Sequence, residues 1–297
     1  MRFTKMHGLG NDYVYLDGFT QDLAGLDLPD LARRLANRHT GIGGDGLIAV
    51  VPAEDGTGAH ARMRMFNLDG SEGEMCGNGI RCVAKLILDD GLLGGERPQP
   101  LQIQTGAGVL ALEHTAGEDG MMRSVAVDMG EPIFEPAEIP IDLDAASVVA
   151  SDTVGPAPKV TVETPFGRTD LICVSFGNPH GVFFVDDLAQ WPADRLRDEG
   201  RSLETHPVFP NHANIHAVQV LARDRVRVLH WERGSGATLA CGTGATAVCV
   251  AAHLAGHCDR AITAELPGGP LRLTWRDDNH IVMDGPATRV FDGVVRV

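Results

Sequence analysis

Two cysteines define the chemistry open to this chain. Cys76 stands before Gly77-Asn78-Gly79, and Cys241 before Gly242-Thr243-Gly244. Each Gly-x-Gly opens an apolar stretch of helical length. After the first, Ile80, Val83, Ala84 and Ile87 fall at i, i+3, i+4 and i+7; after the second, residues 245–255 are apolar nearly all round. A cysteine at a helix mouth faces unpaired N–H groups and the positive end of the helix dipole. That setting predicts thiol pKa values lowered from about 8.5 into the range of roughly 3.5–7.5. The glycines let a ligand approach the backbone, and the amides of Gly77, Asn78, Gly242 and Thr243 form anion sites. Two thiols on opposite sides of one carbon suit removal of a proton from one face and its return to the other. Racemisation or epimerisation beside a carboxylate is that reaction. No lysine sits where a pyridoxal Schiff base would need one, so the amides alone would hold the developing charge. Neither a cofactor nor a metal is expected.

The elements that must position these thiols can be read along the chain. Gly8-Leu9-Gly10-Asn11-Asp12 is a glycine turn into a strand at Tyr13–Leu16, and Leu31–Arg38 reads as a short helix behind Pro29. A loop, Gly41–Gly46, precedes an apolar strand at Leu47–Val51, and Arg62–Phe66 alternates as a strand that delivers Asn67 to its end. Strands are predicted at Leu101–Thr105, Val109–Glu113 and Val125–Met129. A Pro-rich, weakly patterned stretch runs from Gly130 to Pro158 and opens a second domain. Beyond it come strands at Val160–Glu163, Leu171–Phe176, Val182–Val185, Ile215–Leu221 and Val226–Trp231, with a charged helix at Ala193–Leu203. Strands at Leu271–Trp275, Ile281–Met283 and Val294–Val297 close the chain.

A repeat underlies this order. Gly10-Asn11 and Gly177-Asn178 each stand at a turn beside an apolar strand, and each lies about 65 residues before its cysteine. The expectation is an α+β fold of two pseudo-symmetric domains, residues 1–129 and 130–283, each with mostly antiparallel strands wrapped round one buried helix. The two helix mouths would face each other across a cleft.

Composition narrows the partners. The 297 residues suffice for two domains, and 43% hydrophobic with 22% charged residues is a globular balance. A net charge of −15 argues against nucleic acid and anionic membrane. The N-terminus lacks the apolar region of a signal peptide and no apolar run reaches a membrane span, so a cytoplasmic protein is expected. In that compartment six cysteines are not a disulfide framework. Cys82, Cys173, Cys249 and Cys258 lie in apolar settings and read as core. Most of the twelve histidines read as surface or core filler, and only His180 sits within a motif.

Taken together, the motifs resemble the diaminopimelate epimerase family. They are Phe3-Thr4-Lys5-Met6-His7-Gly8-Leu9-Gly10-Asn11-Asp12, Phe66-Asn67-Leu68-Asp69-Gly70-Ser71, Met75-Cys76-Gly77-Asn78-Gly79, Gly177-Asn178-Pro179-His180, and Trp231-Glu232-Arg233-Gly234 with Ala240-Cys241-Gly242-Thr243-Gly244. They span nearly the whole chain. The resemblance implies a cofactor-independent epimerase acting on diaminopimelate, with Cys76 and Cys241 as the two bases. It also implies a C-terminal strand, within 284–297, returning to the first domain, and a homodimer. By similarity, Gly77-Asn78 and Gly242-Thr243 bind the reacting carboxylate. Asn11, Asn67, Asn178, Asn214, Glu232 and Arg233 hold the substrate, Arg233 forking onto a distal carboxylate and Glu232 taking the distal ammonium. His180 and Glu232 would tune proton transfer. The chain departs from the family pattern at Gly46, Ala237 and Phe291, where some members have Gln, Glu and Tyr.

Other classes fit less of the chain. Residues 242–247 also match G-x-G-x-x-A of dinucleotide-binding oxidoreductases, but the motif lies far down the chain and the other half repeats Cys-Gly-x-Gly instead. A zinc site would need closer spacing than Cys76/Cys82 or Cys241/Cys249. A thiol redox or binding protein could pair Cys76 with Cys241. Proline racemases share paired cysteines, but carry His where Asn78 stands and Asp-Arg-Ser-Pro before the second cysteine.

Overall fold

A computed structural model describes residues 1–297, which divide into two compact units. Unit 1 comprises Met1–Asp128 and Asp284–Val297, and unit 2 comprises Met129–Met283. No helix is long and apolar enough to cross a membrane.

Unit 1 runs β1 (Arg2–Gly8), β2 (Asn11–Asp17), α1 (Leu28–Leu35), β3 (Gly46–Val51), β4 (Ala61–Asn67), β5 (Glu72–Gly73), α2 (Gly77–Asp89), β6 (Leu101–Thr105), β7 (Gly108–Ala116) and β8 (Met122–Asp128). Unit 2 begins with the hairpin pair β9 (Val148–Val154) and β10 (Ala157–Thr164). It continues through β11 (Gly167–Ser175), β12 (Pro179–Phe184), α3 (Ala193–Glu204), β13 (Asn214–Ala222), β14 (Arg225–Glu232), β15 (Gly236–Thr238), α4 (Gly242–Leu254), β16 (Ala261–Leu266) and β17 (Gly269–Trp275). Then β18 (Ile281–Gly285) leads back into unit 1, which β19 (Thr288–Val294) completes by pairing with β1.

The repeat is present in the strand pairings. In unit 1, β1–β2 is antiparallel, β2–β3 parallel, β3–β4 antiparallel and β4–β6 parallel. In unit 2 the same sequence of pairings recurs as β11–β12, β12–β13, β13–β14 and β14–β16. A parallel pair needs a crossover, and the four helices lie within those four crossovers. In each unit the second crossover helix is the buried one.

Sequence explains why. On α2, Ile80, Val83, Ala84 and Ile87 are all buried, and burying each larger side chain contributes about 1.5–3 kcal/mol. It packs on β1, β2 and β8. On α4 every residue from Gly244 to Ala252 is buried, and the helix packs on β11, β12, β13, β16 and β17. Gly8 permits β1 to run close to α2, since a Cβ there would lie 2.7 Å from the Asn78 carbonyl oxygen.

The structure departs from expectation at six strands. β1, β5, β9, β15 and β16 form where no strand was predicted. β1 carries polar Thr4, Lys5 and His7, and yet Thr4 and Lys5 are buried, so its pattern does not alternate. Residues 149–153 of β9 are all exposed, within the stretch read as breaker-rich. The last strand is Thr288–Val294 instead of Val294–Val297, because pairing with β1 sets its register.

Candidate active site

Both cysteines are the N-cap residues of thirteen-residue helices. Cys76 precedes α2 with φ −138° and ψ 116°, and Cys241 precedes α4 with φ −126° and ψ 114°. The residues following them, Gly77-Asn78 and Gly242-Thr243, are the first turns, whose N–H groups have no partner within their helices.

In unit 1 the thiol of Cys76 is tied at both ends. Sγ accepts the Gly79 N–H at 3.3 Å, and S–H donates to Asn11 Oδ1 at 3.3 Å. Asn11 begins β2, and its Nδ2 donates to Asp45 Oδ2 at 2.7 Å. Asp45 also accepts the Asp12 N–H at 3.0 Å and Arg38 Nη2 at 2.9 Å. Beyond it, Asp12 pairs with Lys5 at 2.5 Å and with Arg38. Burial alone would raise the Asp12 pKa, but the Arg38 and Lys5 hydrogen bonds outweigh it and hold the carboxyl below its usual range. Asn67 closes β4, where its Nδ2 donates to Ser71 Oγ at 3.0 Å. The Asn78 side chain turns into the core and accepts from Arg81 Nη2 at 3.0 Å. Arg81, wholly buried, also donates to the carbonyls of Gly77 and Pro286.

In unit 2 the Cys241 thiol lies 3.7 Å from Thr243 Oγ1, and its pKa is raised by the carboxylate of Glu232, the last residue of β14. Glu232 Oε1 accepts the Thr238 hydroxyl at 2.5 Å. Asn178 spans two groups: Nδ2 faces Thr243 Oγ1 at 3.4 Å, and Oδ1 faces His180 Nε2 at 2.9 Å. Asn214 donates to the Pro179 carbonyl at 3.2 Å and accepts the Arg233 N–H at 3.0 Å. The exposed Arg233 guanidinium donates to the Asn211 carbonyl at 3.1 Å. Glu204 braces this loop, accepting Trp231 Nε1 at 2.6 Å and the Gly234 N–H at 3.0 Å.

The thiols differ from expectation in one respect. Helix mouths were expected to lower their pKa values, yet both stand above the ordinary thiol value. For Cys76, burial pushes the thiol up while the Gly79 and Asn78 N–H groups and the Arg81 cation pull it down. For Cys241, burial is again the largest effect, and the Glu232 carboxylate adds to it. The amides at the helix mouths pull both values down, but desolvation exceeds them.

Arg38, Asp45, Arg81 and Glu204, passed over in the sequence, belong to these networks, and His216 and His230 extend them beyond His180. Arg81 and His230 stand beside the motifs at Gly79 and Trp231, but the fold alone brings the others to the site. The remaining cysteines, Cys82, Cys173, Cys249 and Cys258, are free and buried. Phe291 is half-exposed on β19, edge-on to Phe3 with ring centroids 5.8 Å apart.

The sequence profile of the diaminopimelate epimerase family matches residues 3–135 and 172–290. The chain belongs to that family. A diaminopimelate epimerase of Moorella thermoacetica is 46% identical over 294 residues, covering 99% of this chain and 98% of that one. One from Methanococcus maripaludis is 40% identical over 298 residues, with 100% of both chains covered. Among solved structures, a Bacillus anthracis phenazine biosynthesis protein of the PhzF family superposes with TM-score 0.69 at 18% identity, covering 100% of this chain and 99% of that one. A probable proline racemase from Agrobacterium radiobacter gives 0.62 at 15%, covering 100% and 93%. At those identities the likeness is one of fold. The diaminopimelate epimerase fold is therefore the architecture of both units, and the paired N-cap cysteines lie within the family match.

Proposed function

We propose that this chain converts LL-2,6-diaminopimelate to the meso isomer by a two-base proton transfer at one α-carbon, with no cofactor. One observation carries this: in a member of the diaminopimelate epimerase family, two helices of equal length are each capped by a cysteine in the same backbone conformation. One thiol, ionised, takes the α-proton as a thiolate base. The electron pair left on carbon spreads into the carboxylate, and the other thiol gives its proton to the opposite face. Turnover therefore exchanges the protonation states of Cys76 and Cys241, and exchange with solvent resets them.

The first-turn amides of Gly77, Asn78, Gly242 and Thr243 stabilise the charge gathering on the reacting carboxylate. Asn11, Asn67 and Asn178 hold the substrate, and Asn214 ties the Arg233 loop to β12. Arg233 receives the distal carboxylate, and Glu232 the distal ammonium while adjoining Cys241. His180, with both ring nitrogens engaged, acts through Asn178. We assign the protein to the cytoplasm and to lysine and peptidoglycan precursor synthesis, as a homodimer.

The test is proton exchange followed by NMR. Reduced protein incubated with LL-diaminopimelate in D₂O incorporates deuterium at one α-carbon as the meso isomer forms. Cys76→Ala and Cys241→Ala each lose this by about 10²–10⁴. Absence of exchange from fully reduced wild type sinks the proposal, and turnover of proline instead redirects it.

A further inference from the structure

Three adjacent strands of unit 2 each place one imidazole on the face that α4 covers. His180 lies on β12, His216 on β13 and His230 on β14, and His216 stands directly opposite His230 in the antiparallel ladder. None has any exposed surface. Their nitrogens form one line. His180 Nδ1 lies 2.8 Å from His216 Nε2, and His216 Nδ1 lies 2.8 Å from His230 Nδ1. At the far end His180 Nε2 meets Asn178 Oδ1 at 2.9 Å.

Such a line has a sense. Burial pushes His180 and His230 down to about 3 and His216 well below its usual value, so all three are neutral near pH 7. A neutral imidazole carries one N–H and one lone pair. Asn178 decides which, because its nitrogen faces Thr243 and its oxygen faces His180. An amide oxygen only accepts, so His180 bears its proton on Nε2 and accepts at Nδ1. His216 must then donate from Nε2 and accept at Nδ1, and His230 must donate from Nδ1. His230 Nε2 is left as a bare acceptor, and it is the ring nitrogen of the three that has no partner.

The array also lies directly beneath the helix mouth. A Cβ on Gly244 would come within 2.5 Å of His216 Cε1 and 3.1 Å of Cys241 Sγ. The first turn of α4 therefore rests on the middle imidazole.

We propose that His216 and His230 are positioning residues, a one-way chain of imidazoles that holds the Asn178 amide nitrogen toward Thr243 at the mouth of α4. This rests on the epimerase assignment above, in which Asn178 and Thr243 meet the substrate. Without the chain, His180 is free to take either tautomer, and Asn178 loses the constraint on which end it presents.

The experiment is ¹⁵N-histidine NMR on the whole chain, without substrate, at pH 7. The expected spectrum has His180 and His216 protonated on Nε2 and His230 protonated on Nδ1. The opposite sense, or a mixture of tautomers, overturns the proposal. Two variants extend the test. His230→Asn keeps an N–H close to the Nδ1 position, whereas His230→Leu removes the donor. His230→Leu should leave His216 averaging between tautomers and lower kcat/KM for LL-diaminopimelate about tenfold, mainly through KM, with His230→Asn within about twofold of wild type. Equal kinetics and equal spectra in the two variants also overturn it. If His230→Leu does not fold, the wild-type spectrum decides alone. The expected tautomers in a wild type that turns nothing over would support the chain and sink the epimerase assignment.

Discussion

Asp45 orients Asn11: its carboxylate takes the Asn11 amide nitrogen at 2.7 Å, which turns the Asn11 carbonyl oxygen onto the Cys76 thiol. The same carboxylate is fixed by Arg38 and by the Asp12 N–H, so Cys76 inherits its orientation from a charged network two residues removed. Asp45→Ala should let Asn11 rotate and lower kcat/KM about tenfold, a loss of roughly 1.4 kcal/mol of transition-state stabilisation. Asp45→Asn, which keeps an acceptor oxygen, should retain most activity. Steady-state kinetics of the two variants side by side provide the check; equal activities would detach Asp45 from Cys76.

The two thiols have opposite electrostatic neighbours, and that difference is measurable. Arg81 lowers the Cys76 pKa and Glu232 raises that of Cys241, each against a background of burial that raises both. Rates of alkylation by iodoacetamide across pH report the thiolate fraction. In a Cys76→Ala background, Glu232→Gln should move the Cys241 profile to lower pH. In a Cys241→Ala background, Arg81→Gln should move the Cys76 profile to higher pH. Shifts of the same sign in both would contradict the assignment of neighbours.

The buried imidazoles make a prediction about acid. His180 and His230 are held down to about 3 by burial, and the unfolded chain binds their protons near the ordinary 6.5. Between those values the unfolded state carries more protons than the folded one. Stability is therefore full above pH 6.5 and is lost as pH falls toward 3, at up to about 1.4 kcal/mol per pH unit for each histidine. Urea midpoints from pH 7 to pH 4 should show this loss, and His230→Asn should make it shallower. An unchanged slope in the variant would mean that His230 is not neutral when folded.

Glu204 lies far from either cysteine in sequence, but it braces the loop that carries Arg233. Glu204→Ala leaves the Trp231 and Gly234 N–H groups without their acceptor, which should cost about 1–3 kcal/mol of stability. With the loop loosened, KM for diaminopimelate should rise more than kcat falls. A fall in kcat alone would place Glu204 in the chemistry instead of in binding.

Much of this was legible in the sequence, for identifiable reasons. The helices behind Cys76 and Cys241 announce themselves because an apolar run follows Gly-x-Gly directly, and the local pattern suffices. β1 was not legible: Lys5 is buried only because Asp12 and the Gly43 carbonyl receive its ammonium group, and neither partner is implied by a strand pattern. β9 is exposed along most of its length, so no alternation marks it. The thiol pKa direction was misjudged because a helix mouth is visible in sequence, whereas the desolvation around it is a property of packing. The imidazole chain is the extreme case. His180, His216 and His230 are spread over three strands, and only the β12–β13–β14 ladder makes them neighbours.

The pairing of β1 with β19 has a consequence for synthesis. A ribosome releases β1 before the whole of unit 2 and β19 after it, yet the two share a ladder from Arg2 opposite Val294 to His7 opposite Thr288. Unit 2, continuous from Met129 to Met283, can close while the nascent chain is still tethered. Unit 1 cannot: after Asp128 emerges, translation at about 5–20 residues per second leaves its first strand waiting on the order of 10 seconds for its partner. Through that interval one edge of β1 stays open to pairing with other chains. Unit 1 thus starts before unit 2 and is completed after it, and a chain stalled within unit 2 would leave that edge exposed.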